Sequence, residues 1–394
     1  MKVRYLYNHI LFICIFLCSC KLFCQINNST DSMVVSNLNN KQGAWQINFG
    51  GFIQTDYLFD TQKMNSEDGF DAPSIVIPQN NSKSSYFSVR QSQLRVNIKN
   101  KRSDISGKIE IDFYGANGTT APRLRQAYFT WKNFIFGQLW SNFSDTEISG
   151  DLFDFIGPNG MMSVRQIQLR YTSKIGAKQL LSFSLEDPKA PSISFSKDSL
   201  LLSEKALFPS FTASYRYGNN KEYIRLAGIL TPVSYVNNIN VNGKKETVKT
   251  LICGGVNLSG VYYIGSEDNI KVQTSYGIGF STNNVVLHHM GYDIVEDTEG
   301  ILKRLPLFNI LFLYEHWWNK FLSSTFYFSD SKFSETSFMT GEKLANFQNA
   351  GTNLIYHPLP KLQMGFECTY GRVENVAKII AKAMRYQFSA SFTF

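Results

Sequence analysis

The chain has 394 residues, a formal charge of +8, 14% aromatic residues with 32 Phe and 20 Tyr, and six cysteines. Three of the cations (Lys2, Arg4, Lys21) precede the first acid, Asp31, and the rest are dispersed, which gives no footing for nucleic acid. Cys14, Cys18, Cys20 and Cys24 crowd the same N-terminal stretch, and Cys253 and Cys368 alone are too few for a disulfide scaffold.

At the N-terminus, Lys2 and Arg4 are followed by the apolar run ILFICIFL, residues 10–17, and then by small, weakly polar residues. This is the pattern of a secretory signal peptide, and the run is too short to cross a bilayer core of roughly 30 Å. The expected leader is residues 1–24, with cleavage after Cys24. Leu17-Cys18-Ser19-Cys20 is also lipobox-like, so acylation at Cys20 is the alternative processing. Residues 25–43 read as a short polar periplasmic lead. From residue 44 to 394 no linker, low-complexity tract or repeat breaks the chain, and no segment offers the run of about 20 apolar residues that a membrane helix needs.

What the chain offers instead is a period of two. Near the C-terminus Met384, Tyr386, Phe388, Ala390, Phe392 and Phe394 alternate with Arg385, Gln387, Ser389, Ser391 and Thr393. Ile105, Gly107, Ile109, Ile111 and Phe113 alternate with Ser106, Lys108, Glu110, Asp112 and Tyr114, and similar runs cover residues 270–281 and 362–370. Such alternation marks strands with one apolar and one polar face. Soluble sandwiches show it in strands of about 5–6 residues. Spans of about ten residues match the tilted strands of a transmembrane barrel.

Connection lengths point the same way. Sixteen strands are predicted, starting near 44, 85, 104, 123, 133, 162, 178, 208, 221, 249, 269, 305, 320, 345, 360 and 380. Long connections (60–84, 116–122, 141–162, 188–207, 231–248, 282–304, 331–344 and 372–380) alternate with short ones at 100–103, 132–133, 173–177, 218–220, 264–268, 317–319 and 358–359. Outer-membrane barrels have short periplasmic turns, longer extracellular loops and an even strand number, whereas a sandwich has no reason to sort its loops by parity. The reading is an all-β, antiparallel transmembrane β-barrel of 16 strands, exported to the outer membrane of a Gram-negative bacterium among its lipid and lipopolysaccharide. A terminal aromatic, Phe394, on the apolar face fits it.

A barrel of this size leaves an aqueous lumen. Residues 141–162, the third long loop, mix Phe153, Phe155, Ile156, Met161 and Met162 with Asp145, Glu147, Asp151 and Asp154. The expectation is that this loop folds into the lumen, with its carboxylates lining a constriction. On the wall, the polar faces carry Arg95, Lys108, Arg123, Arg125, Arg170, Arg216, Arg225 and Arg385. Arg95, Lys108, Arg123 and Arg125 come from three consecutive strands and form one basic patch, able to attract and orient carboxylates and phosphates. Pairing across the 116–122 loop also sets Arg125 near Asp112, so part of the patch neutralises internally. One parity conflict arises: if Arg123 and Arg125 face inward, Phe129 and Trp131 formally do too, unless a bulge intervenes.

These stretches resemble a known family. The runs RLRQAYFTWKNFIFGQLWSNFSD (123–145) and FDFIGPNG (153–160), the opening FGGFIQTDYLFD (49–60), HPLP (357–360), GFECTYGRVEN (365–375) and the terminus RYQFSASFTF look like the DcaP-like porins, trimeric outer-membrane channels. Phosphate-selective porins are a second, more distant resemblance. The resemblance implies sixteen strands, a homotrimer and uptake of small organic anions such as dicarboxylates through an arginine-rich constriction. By position it makes Arg123 and Arg125 pore residues and 141–160 the constricting loop.

Catalysis finds little support. His9 lies in the leader, His288 and His289 in a loop, His316 beside Trp317 and Trp318, and His357 before a turn, none with an obvious nucleophile partner. No metal-ligand spacing, cofactor motif or phosphate-cradling loop is present. The alternatives to a diffusion channel are a non-conducting structural or adhesin barrel and, behind it, a barrel enzyme.

Overall fold

The computed structural model describes residues 45–188, 193–194, 202–237, 247–288, 290–297, 299 and 301–394. The leader, the Cys20 lipobox and the 25–43 lead lie outside these residues. Sixteen antiparallel strands close into one barrel. They are β1 (Trp45–Asp60), β2 (Ser84–Ser88 continuing as Gln93–Asn100), β3 (Ile105–Asp112), β4 (Arg123–Trp131), β5 (Phe134–Trp140), β6 (Arg165–Gly176), β7 (Gln179–Glu186) and β8 (Leu202–Lys205 continuing as Ser210–Gly218). The rest are β9 (Tyr223–Asn237), β10 (Thr247–Ile264), β11 (Asp268–Ile278), β12 (Pro306–Asn319), β13 (Leu322–Phe333), β14 (Leu344–Leu359), β15 (Leu362–Asn375) and β16 (Ile380–Thr393). Each strand pairs with its sequence neighbours, and β16 returns to β1 in a register from Phe52↔Thr393 to Asp60↔Arg385. Backbone hydrogen bonds between Gly51 and Phe394 seal the seam.

Strand starts lie within three residues of the predicted ones, except that β8 begins earlier, at Leu202. The alternation of faces is what places them. On β16, Phe388 and Phe392 of the outer face are 52% and 48% exposed, while Arg385 and Gln387 of the inner face are 1% and 3% exposed. Short turns such as 132–133 and 360–361 alternate with long loops, except that the predicted long connection 372–380 is a four-residue turn, 376–379, because β15 and β16 extend into it. Lys132 takes the left-handed conformation (φ 53°) that such a tight hairpin requires.

The β4 parity conflict is resolved by a bulge. The β3–β4 register runs Glu110↔Gln126 and then Ile111↔Leu124, so Arg125 is the extra residue. Arg125 and Gln126 both turn inward and are buried, and Phe129 and Trp131 switch to the outer face, where they are 49% and 45% exposed.

The apolar core is built by loops rather than by the wall. Phe70, Ala72 and Ile75 from the first long loop, Phe143 and Met162 from the third, and Leu287, Tyr292 and Leu305 from the sixth pack together with Leu307, Phe333, Phe347 and Val373 of the inner wall. A small sheet of Ile193–Ser194, Ile294–Glu296 and Leu302–Arg304 ties the fourth and sixth loops. Cys253 is a buried free thiol and Cys368 a half-buried free one.

Candidate functional site

Residues 141–164 cross the lumen and are fastened to most of its circumference. Ser141 Oγ and Asn142 N donate to Glu186 on β7 at 2.6 and 2.8 Å. Tyr223 on β9 donates to Asp145 at 2.9 Å, and Ser259 on β10 donates to the same carboxylate at 2.5 Å. Glu147 pairs with Arg216 on β8 at 2.8 Å. The loop then swings across: Asp151 N donates to Glu315 on β12 and Phe153 N to Glu367 on β15, each at 2.8 Å. Gln54 on β1 and Gln387 on β16 both donate to the Phe153 carbonyl. The return leg is held by Asn159 N to Asn349 Oδ1 and Gly160 N to Ser329 Oγ, each at 3.0 Å. Gly150 takes a left-handed φ of 79° at the turn into this crossing, where an added Cβ would meet Leu313.

The inward fold of the loop is therefore present, but the expected role of its carboxylates needs correction. Asp145 and Asp154 are 5% and 6% exposed and do not line an open passage. Asp145 is consumed by Tyr223 and Ser259. Asp154 accepts backbone N–H groups of Phe70, Ile156 and Gly157, tying the first and third loops together. Asp151 accepts from Gln363 at 3.3 Å. Only Glu147 is open, its side chain half exposed even while paired. A buried carboxylate without donors is costly, so these acids sit where hydrogen bonds hold the loop.

The basic wall is also internally paired. Arg123 grips Asp112 with two hydrogen bonds, Nε to Oδ1 at 3.0 Å and Nη2 to Oδ2 at 2.8 Å. Arg125 reaches Asp112 at 2.8 Å and Glu110 at 3.2 Å, and Lys108 reaches Glu110 at 2.8 Å. The pairing Arg125–Asp112 is the one predicted; Arg123–Asp112 and the Glu110 contacts add to it. The Arg123 side chain stays 40% exposed whereas that of Arg125 is 10% exposed. The Tyr114 and Phe155 rings meet at a tilt with centroids 4.1 Å apart, and the Arg123 guanidinium lies over both rings at 5.4 and 5.6 Å. The loop thus meets the arginines with the Phe155 ring instead of a carboxylate.

Other cations are held without carboxylates. Arg170 donates to Gln168 Oε1 at 2.8 Å and to the Trp140 carbonyl, and Arg225 donates to the Asn142 and Phe143 carbonyls. Arg95 stands opposite Glu110 in the β2–β3 register, with its buried Nε unpartnered. Arg385 is buried and bidentate to Asp60, which removes it from the wall facing the loop. Between the turns 177–178, 219–222 and 265–267 opens a cavity of about 780 Å³ edged by Lys174, Lys178, Arg216 and Lys221.

Sequence reasoning missed Glu315, Glu367 and Asn349 as loop anchors, although each occupies a polar-face position that strand parity identifies. It also found no nucleophile beside a histidine. The structure places Ser323 Oγ 2.8 Å from His357 Nε2, with the ring stacked on Trp317 at 4.8 Å. Among the described residues no carboxylate holds that imidazole, and no cluster of His, Cys, Asp and Glu is arranged for a metal.

The crystal structure of the outer membrane channel DcaP of Acinetobacter baumannii superimposes with a TM-score of 0.74 at 19% identity, covering 90% of this chain and 98% of that one. An anion-selective porin from Comamonas acidovorans gives 0.59 at 9% identity, over 89% and 100%. The trimer form of OmpT from Vibrio cholerae gives 0.54 at 11% identity, over 89% and 100%. No curated protein sequence matches the chain. The family model of the DcaP outer membrane protein matches residues 25–394, nearly the whole chain, and its architecture is that of the outer-membrane porins of Gram-negative bacteria. The chain belongs to the DcaP outer membrane protein family.

Proposed function

We propose that this porin-like channel passes small hydrophilic solutes passively and prefers organic anions such as dicarboxylates. The observation that carries the reading is the set of inward cations: Arg123 is exposed despite its pairing, and Arg95, Arg170 and Arg225 have no carboxylate partner among the described residues. Guanidinium groups fixed in a narrow passage bind carboxylates bidentately and repel cations. The lumen-crossing loop narrows the route and presents Phe155 to the arginines, so selectivity comes from width and charge, with the solute gradient as the driving force. Export by a signal peptide and assembly as a homotrimer complete the proposal; the trimer form of the Vibrio cholerae neighbour supports the latter.

Proteoliposome swelling tests this reading. Influx of a small dicarboxylate faster than that of a diamine of equal length is the expected result. Equal rates would remove the anion preference, and no influx of either would favour a non-conducting structural or adhesin barrel. The Ser323–His357 contact leans toward an enzyme, but among the described residues no carboxylate orients that imidazole, so it does not compete.

A further inference from the structure

The outer face of β13–β16 departs from the apolar pattern at its extracellular end. On β13 the outward positions run Phe326, Phe328, Asp330, Lys332, the first two 43% and 45% exposed. On β15 they end in Arg372 and Glu374, and on β16 they begin Ile380, Lys382. The register brings these together in one row. Lys332 stands opposite Asn346 on β14, Asn346 accepts from Arg372 Nη1 at 3.2 Å, and Arg372 stands directly opposite Lys382. By contrast, the upper ends of β11 and β12 stay apolar with Ile278 and Phe308.

Two like charges directly opposite on one sheet face repel, and among the described residues the ion pair to Glu374 relieves this pair only on the Arg372 side. Glu374 is held by Arg372 at 2.6 Å and by Lys378 at 3.2 Å, and Asp330 is engaged by Asn346 at 2.9 Å. Lys332 and Lys382 form no ion pair among the described residues. Arg372 lies ten residues up β15 from Leu362. At about 3.3 Å per residue and a tilt of about 40° that is roughly 25 Å, the height of a barrel's apolar band. The row therefore stands at the level of the outer-leaflet headgroups, just above the acyl chains that Phe328, Phe366 and Phe388 meet.

We propose that Lys332, Arg372 and Lys382 form a binding site for the phosphate groups of an anionic outer-leaflet glycolipid, whose acyl chains lie along the aromatic wall beneath. The charge is complementary, the level is that of lipid phosphates, and the partnering acids leave a cationic excess facing outward. The site is on the opposite side of the wall from the lumen, so it is independent of the solute preference.

The test uses the full mature chain in detergent with purified lipopolysaccharide, read by native mass spectrometry, and the triple variant Lys332→Gln/Arg372→Gln/Lys382→Gln. Loss of three cations is expected to weaken retention by roughly a hundredfold, while single-channel conductance and heat-modifiable mobility stay as in the native chain. Chemically dephosphorylated glycolipid should bind the native chain no better than the variant. Equal retention of phosphorylated and dephosphorylated lipid would overturn the proposal. So would a variant that keeps its lipid but loses its oligomeric state by light scattering, since the row would then be a contact between copies.

Discussion

Asp112 is completely buried and holds Arg125 at 2.8 Å, on the same carboxylate oxygen that accepts Nη2 of Arg123 at 2.8 Å. This single acid couples a structural arginine to an exposed one and lets their roles be separated. Arg125 is sandwiched between Asp112 and Glu110, so Arg125→Gln leaves buried acids short of charge and is expected to cost about 3 kcal/mol. A lowered urea midpoint for the detergent-folded barrel would check it.

Arg123→Gln should behave differently. Its side chain is 40% exposed and Asp112 keeps Arg125, so folding should change by less than about 1 kcal/mol. The variant should instead lose dicarboxylate influx relative to a neutral solute of the same size. Unchanged influx with unchanged stability would leave Arg123 without a role in the passage.

The lumen-crossing loop depends on Glu367, whose two oxygens accept the backbone N–H groups of Phe153 and Asp154 at 2.8 and 3.3 Å. Glu367→Ala strands both donors at a cost of about 1–3 kcal/mol each, unless the loop lifts to rehydrate them. Single-channel recordings of the variant should therefore show a larger, flickering conductance. A quiet conductance equal to that of the native channel would mean that the remaining anchors suffice.

Much of this was legible in the chain because a barrel repeats two simple signals, face alternation and loop parity. Phe388 and Gln387 must point opposite ways whatever else the chain does. Arg123 and Arg125 were legible for the same reason, as was the Arg125–Asp112 contact, which needs only hairpin pairing. The bulge at Arg125 was legible only as a contradiction, since parity counting cannot say where an extra residue sits. The partners of the crossing loop were not legible. Phe153 and Glu367 are 214 residues apart, and nothing local ties them. Loop carboxylates such as Asp154 looked like lining groups because composition does not show whether a donor waits across the lumen.

Cysteine chemistry gives a simple check on the packing. Cys253 is buried beneath the extracellular loops among Ile193, Val233 and Ile294, and Cys368 lies half-buried on the outer face, so they cannot pair. A charged maleimide should leave Cys253 unmodified in the folded barrel and label it after unfolding, with no mass change on reduction. Rapid labelling in the folded state would contradict the packing over it.

Asp71, in the first long loop, carries a buried Oδ1 without a partner. Burial, with the nearby Asp154 adding to it, pushes its carboxyl up from 3.8 to about 7. The folded loop thus holds a proton that the unfolded chain has released, so stability should fall as pH rises from about 4 to about 7 and level off above. Asp71→Asn should flatten that part of the profile of thermal midpoint against pH and raise the midpoint at pH 8. A native profile that rises across the same interval would show Asp71 to be ionised and paired.

The most direct measurement is the reversal potential of single channels in a potassium chloride gradient across a planar bilayer. An arginine-lined passage predicts a potential of the sign given by chloride permeating faster than potassium, shrinking toward zero in Arg123→Gln. A potential of the opposite sign in the native channel would contradict the account.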